Sequence, residues 1–288
     1  MTGDLHPITD EPVCLLMDNG SLKAEAILNL RIIAGKLSKL TQRIIRPVSL
    51  LYSNEIDSAQ LGGNSAEIFE PTINTLALKG RNDFLVIPLF FGPSRALSCY
   101  LPERIIQLKK THTHLNVRIA PCLVRADDDD ENYSMAKILV NGINRVIINK
   151  SLNYPAVILV DHGSPEIKVN EVRTFLARQL EILLKGKVRI LAEASMERRK
   201  GREYSFNDPL LLHQLSEKDF NQGDVIISLL FLLPGNHAGI DGDITRMCLE
   251  AERRKPKLRT HVTELVGSDE NLITLLKERV DHELLAYE

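Results

Sequence analysis

The chain has few cysteines and no cysteine pattern. Cys14, Cys99, Cys122 and Cys248 are scattered, and no CxxC pair occurs. That excludes a zinc cage, an iron–sulfur site or a disulfide framework, and leaves four small apolar residues suited to a reducing compartment. Basic charge is not in excess either: the formal net charge is −2. A nucleic-acid partner is therefore not expected, because a phosphate backbone needs a cationic surface. Long apolar runs are missing too. The longest, VIISLLFLL at residues 225–233, is far short of the ~20 residues a membrane helix needs. No basic segment followed by an apolar stretch opens the sequence, so no signal peptide is expected. These absences together predict a cytoplasmic protein with no membrane partner.

What remains is an ordinary globular composition. Of 288 residues, 44 % are hydrophobic and 26 % charged, enough for one large domain or two ordinary ones. An internal repeat decides between these. PVCLLMDNGSLKAE, starting at Pro12, reads against PAVILVDHGSPEIK, starting at Pro155. The match pairs Asp18-Asn19-Gly20-Ser21 with Asp161-His162-Gly163-Ser164. Further blocks follow in the same order: residues 69–94 against 207–235, with Pro71 opposite Pro209, and 114–124 against 257–267. Each copy alternates apolar runs with helical periodicity, as a parallel sheet flanked by helices requires. In copy two the pattern predicts helices over 166–185, 209–215, 243–254 and 268–285, the last capped by Ser268. Strands are predicted over 156–161, 188–192, 225–232 and 259–265. Two tandem flavodoxin-like α/β units follow, 1–150 and 151–288.

In such sheets ligands bind beyond the carboxyl ends of the strands. The first strand of copy two ends in Asp161-His162-Gly163-Ser164, and the third ends in Leu233-Pro234-Gly235-Asn236-His237. His162 and His237 thus leave one edge of one sheet, and two imidazoles on one rim suit a borderline divalent metal. Copy one has Asn19 and Ala96 (or Arg95) in their places, so it carries no such site. Glu193, Glu197 and Asp208 are the candidate acids. Arg198, Arg199, Lys200 and Arg202 are cations available to an acidic ligand. His213, His261 and His282 read as structural or surface residues, and the acidic run 127–131 as a solvated loop or helix start. A Ser-His-Asp hydrolase using Ser164 is disfavoured, because adjacent residues point apart and no GxSxG elbow appears.

A strand running into His162-Gly163-Ser164 and then a helix resembles the opening of the sirohydrochlorin cobaltochelatase and ferrochelatase family. FLLPGNHAGIDGDI, from Phe231, resembles its Gly-x-His loop before an acidic helix start. KPKLRTHVTELVGSDENL, from Lys255, resembles its last strand and following loop. An acid-Pro step stands before the third strand in both copies, at Glu70-Pro71 and Asp208-Pro209. The resemblance implies the class II chelatase fold, two units facing across a cleft, here fused in one chain that acts as a monomer. It implies that His162 and His237 bind the metal, with Glu197 as a third catalytic group. Ser164, Gly235, Arg198 and Arg199 would contact the tetrapyrrole. The divalent metal, Co²⁺ or Fe²⁺, is then a substrate, and no nucleotide is needed. The alternative is a non-catalytic carrier of metal or tetrapyrrole. One departure stands out: fused members are expected to carry the histidines in the first copy.

Overall fold

A computed structural model describes residues 11–124, 132–239 and 241–285. The acidic run 127–131 lies outside the described residues. The first copy runs β1 (Val13–Asp18), α1 (Ala24–Thr41), β2 (Ile45–Ser49), α2 (Phe69–Ala77), β3 (Asp83–Pro88), α3 (Leu101–Thr111), β4 (Asn116–Ile119) and α4 (Ser134–Lys150). The second runs β5 (Ala156–Asp161), α5 (Ile167–Leu183), β6 (Ile190–Ser195), α6 (Leu211–Gln214), β7 (Gly223–Leu229), α7 (Asp243–Arg254), β8 (Leu258–Val262) and α8 (Asn271–Leu285).

Two four-stranded parallel sheets result, ordered β2-β1-β3-β4 and β6-β5-β7-β8. The central strands explain themselves. AVILVD in β5 is buried at every position, because helices cover both faces of a parallel sheet and leave no side for polar residues. VCLLMD in β1 is buried from Cys14 onward. At the sheet edge, β4 is only partly covered.

The ladders carry the repeat into three dimensions. Met17 lies opposite Pro88, and Val160 opposite Leu229. Counting on from Pro88 and Leu229 equates Ala96 with His237. Isolated bridges join Ser49 to Ile68 and Ser195 to Leu210. These equate Ile68 with Leu210 and correct the pairing of Pro71 with Pro209. Pro71 lies inside the first turn of α2, whereas Pro209 precedes its bridge. The segment from Ser53 to Glu67 carries the extra length that misled the alignment.

Other boundaries shift by a few residues. The helix expected from Pro209 is the single turn α6. Ser268 does not cap α8: it sits in a 3-10 turn and its hydroxyl donates to the Leu265 carbonyl. The capping acceptor is Asp269, whose Oδ1 takes the Asn271 N–H at 3.0 Å. Ser and Asp are equally competent there, and the intervening turn selects the later one.

Two compact units form. One gathers the chain up to Phe90, Arg95–Cys122 and the chain from Leu276; the other gathers Phe91–Ser94 and Leu123–Leu275. They cross the repeat boundary drawn from the sequence. Helix α4, in the first copy by order, packs on α5 and β7, and its Ile138, Leu139 and Ile143 are buried. The end of α8 joins the first unit, where Arg279 Nε donates to the Cys122 carbonyl and Arg118 Nη1 to that of Glu283. Among the described residues no helix is long and apolar enough to cross a membrane.

Candidate metal site on the second sheet

The site begins with a tight turn. After β5 the chain reverses at Gly163, where φ is +90°. A Cβ there would stand 1.9 Å from the Glu197 carbonyl oxygen, so only glycine fits. The same turn brings the Glu197 N–H onto the His162 carbonyl at 3.2 Å. Backbone contacts thus set His162 and Glu197 side by side, and their side chains follow: His162 Nε2 is 3.6 Å from Glu197 Oε1. The loop after β7 returns His237 to the same rim. The rings of His162 and His237 lie 4.6 Å apart between centroids, edge to face at 69°.

Both imidazoles are oriented through Nδ1. His162 Nδ1 is 3.0 Å from the Gly163 carbonyl. His237 Nδ1 is 2.6 Å from Asp243 Oδ2, in the first turn of α7. A carbonyl or carboxylate can only accept, so Nδ1 carries the proton in each ring. In the neutral imidazoles both Nε2 lone pairs are then available to a metal or proton. Hydrogen bonds from His237 and from Arg246 hold the Asp243 carboxyl below the usual carboxylate range. Metal-binding histidines characteristically rest on such a carboxylate. The side chains of His162 and His237 are 45 % and 40 % exposed, so a ligand can reach them.

Among the described residues no group of three or more His, Cys, Asp or Glu side chains is placed to cage a metal ion. The site is two imidazoles, each with a carboxylate beside it, Glu197 by His162 and Asp243 by His237. Caged ions are structural, while open sites keep positions for exchange and chemistry.

The other predicted residues divide sharply. Ser164 is half-buried and tied locally: its Oγ accepts the Glu166 N–H, and its own N–H is donated to Asn207. Gly235 donates its N–H to the Ala238 carbonyl, shaping the His237 loop. Arg198 is tied to Asp208 at 2.9 Å and to the Gly201 carbonyl, which accounts for two of the candidate cations and acids at once. Arg199 lies over the Tyr204 ring. Glu193 is no candidate for the metal: it is committed to Arg173 Nε at 3.0 Å and to the Thr174 hydroxyl. His213, His261 and His282 each sit beside an acid, Glu217, Asp224 and Glu283 respectively.

Sequence inspection missed Arg173. It is 1 % exposed and joins Asp161, Glu193 and Ser195 from α5. The signal was available: an arginine in the apolar stripe of a helix is out of place unless an acid waits beneath it. Also missed was the third loss in copy one. The Leu51 N–H binds the Asn19 carbonyl as the Glu197 N–H binds that of His162, so Leu51 stands where Glu197 does. Asn19, Leu51 and Ala96 replace all three groups. The cysteines are free, and burial pushes the thiols of Cys14, Cys122 and Cys248 up to about 11.

The CbiX family model matches residues 156–283. No curated protein matches by sequence. Among solved structures, SirB from Bacillus subtilis with Fe³⁺ superposes with a TM-score of 0.67 at 13 % identity, covering 94 % of this chain and 95 % of that one. SirB of Bacillus subtilis subspecies spizizenii, a sirohydrochlorin chelatase in complex with cobalt, gives 0.66 at 13 % identity, covering 94 % of both chains. CbiX, described as the terminal enzyme of siroheme biosynthesis in denitrifying bacteria, gives 0.58 at 14 % identity, covering 94 % and 98 %. The CbiX family model thus covers the part of the chain that carries both histidines, within a chain whose whole length has the two-unit fold of these chelatases.

Proposed function

We propose that this chain inserts a divalent metal ion, Co²⁺ or Fe²⁺, into a sirohydrochlorin-type tetrapyrrole, without a nucleotide, for cobalamin or siroheme synthesis. The observation that carries the proposal is the pair His162 and His237, both oriented through Nδ1 and set 4.6 Å apart on one rim. The family match of that same segment supports it. In functional terms residues 151–288 supply the metal-binding half, and residues 1–150 a half without metal ligands.

Insertion requires two pyrrole N–H protons to leave as the ion enters. Imidazoles holding the ion by Nε2 position it for transfer. Glu197, beside His162, takes a proton as the macrocycle is metallated, and general-base groups of this kind contribute about 10²–10⁴-fold. Arg199 is assigned to the peripheral carboxylates of the tetrapyrrole, with Ser164 and Gly235 shaping the rim and Arg198 holding the loop. Four free cysteines fit a reducing cytoplasm, and the chain is assigned there as a monomer.

The test is absorbance of sirohydrochlorin with Co²⁺ or Fe²⁺ added to the purified protein. The parent is expected to accelerate insertion, and a His162→Ala/His237→Ala variant to lose at least about 100-fold of that rate. Equal rates for parent and variant remove the proposed site. A parent that binds tetrapyrrole but never accelerates insertion is a carrier instead.

A further inference from the structure

The turn that carries His162 is built twice in this chain, once with an arginine bound beneath it and once without. Asp161 ends β5, and Ser195 lies opposite it at the end of β6. Asp18 and Ser49 are paired in the same way on β1 and β2. Helices α1 and α5 begin at Ala24 and Ile167, and their seventh residues are Leu30 and Arg173. Glu193 lies opposite Leu159, and its counterpart opposite Leu16 is Pro47. The acid and the serine remain in the first sheet, while the cation and the second acid are gone.

The turn itself forms without the arginine. Gly20 keeps φ at +98°, and the Leu51 N–H binds the Asn19 carbonyl at 3.2 Å. What differs is how firmly the acid below is held. Asp18 is hydrogen-bonded to Ser49, and its Oδ1 has no partner. Asp161 Oδ1 accepts the Gly163 N–H at 3.1 Å and Arg173 Nη1 at 3.2 Å. The same Nη1 donates to the Ser195 hydroxyl, and Nε donates to Glu193 at 3.0 Å. One planar fork thus pins β5 and β6 where their loops depart, one residue before His162 and two before Glu197. The fork is present beneath the copy that bears His162, Glu197 and His237. It is absent beneath the copy that bears Asn19, Leu51 and Ala96.

We propose that Arg173 is a positioning residue of the metal site: by locking the ends of β5 and β6 together, its guanidinium fixes the spacing of His162 and Glu197. It acts through Asp161 and Ser195, and touches neither metal nor macrocycle. Supporting hydrogen bonds of this kind hold a ligand set within about 0.5 Å of its working geometry. The first sheet has no metal ligands to hold and dispenses with the fork. The inference rests on the reading of His162 as a metal ligand, and not on metal insertion.

Co²⁺ binding to the whole chain, measured by competition with a chelating dye, tests this. Arg173→Lys keeps the buried positive charge and the aliphatic stem, but its single nitrogen cannot hold Asp161, Ser195 and Glu193 at once. It is expected to lower Co²⁺ affinity about 10–100-fold. Leu180→Ala is the control: Leu180 is wholly buried and lies about 10 Å farther along α5. That variant weakens the same helix and is expected to bind Co²⁺ like the parent. Parent-like affinity in Arg173→Lys, or an equal loss in Leu180→Ala, overturns the proposal. Should Arg173→Lys not fold, Ser195→Ala decides, because it frees the end of β6 while Arg173 keeps Asp161 and Glu193. A loss of at least about threefold is expected there, and a smaller one overturns the proposal. His162→Ala separates this inference from the one beneath it. If that variant binds Co²⁺ like the parent, or the parent binds none, the metal site is wrong and the positioning role falls with it. If His162→Ala loses Co²⁺ while Arg173→Lys does not, the positioning role alone is wrong.

Discussion

Replacing Asp18 by Asn should stabilise the protein, and should do so only above a defined pH. Burial raises the Asp18 carboxyl from 3.8 to about 6, against the smaller opposing effect of hydrogen bonds from Ser49 and Gly20. The folded state therefore holds this proton more tightly than the unfolded chain does. Below the unfolded value both states are protonated and the residue costs nothing. Between about 4 and 6 the unfolded chain ionises first, so stability falls as pH rises, and above the folded value the penalty is complete. Two pH units correspond to about 3 kcal/mol at 1.36 kcal/mol each. The residue is almost wholly buried, so solvent screening removes little of this. Urea unfolding of parent and Asp18→Asn at pH 8 and pH 4, followed by circular dichroism, measures the difference. The variant should gain about 2–3 kcal/mol relative to the parent at pH 8, and most of that gain should vanish at pH 4. The same ΔΔG at both pH values refutes the assignment of an unpaired carboxylate. Asp161→Asn provides the contrast: it breaks the pair with Arg173 and should destabilise instead.

Arg173→Met should cost about 3–5 kcal/mol in the same unfolding assay, because it strands Asp161 as a buried charge and leaves the half-buried Glu193 without its cation. An effect below about 1 kcal/mol contradicts the ion network. Gly163→Ala places a Cβ 1.9 Å from the Glu197 carbonyl oxygen. It should cost at least about 1–3 kcal/mol of stability and weaken Co²⁺ binding by shifting Glu197, and unchanged cobalt spectra speak against the turn as the positioning device. Asp243→Asn should lower Co²⁺ affinity about 10–100-fold by releasing His237 Nδ1, read by competition with a chelating dye. An unaltered affinity means that Asp243 does not orient the ring.

The sheets were legible because their strands are buried on both faces. AVILVD and VCLLMD leave no ambiguity of period, and the repeat fixes their order. The two histidines were legible because they follow strands, where topology decides the edge. The placement of Glu197 beside His162 depends on a backbone hydrogen bond across a turn, which spacing does not encode. Glu193 looked as available as Glu197 along the chain. Only the packing of α5 shows that Arg173 holds it. The Pro71–Pro209 pairing failed because an insertion in a loop moves a motif without moving the sheet. Ser268 failed as a cap because two adjacent residues had equal chemistry, and one extra turn chose between them.

The exchange of helices between repeats bears on the order in which the protein is built. The unit that bears the histidines is nearly continuous along the chain, from Leu123 to Leu275 apart from Phe91–Ser94. The other unit is assembled from three stretches, and its last stretch starts at Leu276. During synthesis the later-encoded unit therefore has all its parts before the earlier one does. The first unit lacks the end of α8 until the stretch from Leu276 has been made. A chain cut at the repeat boundary would leave each piece holding a helix that belongs to the other.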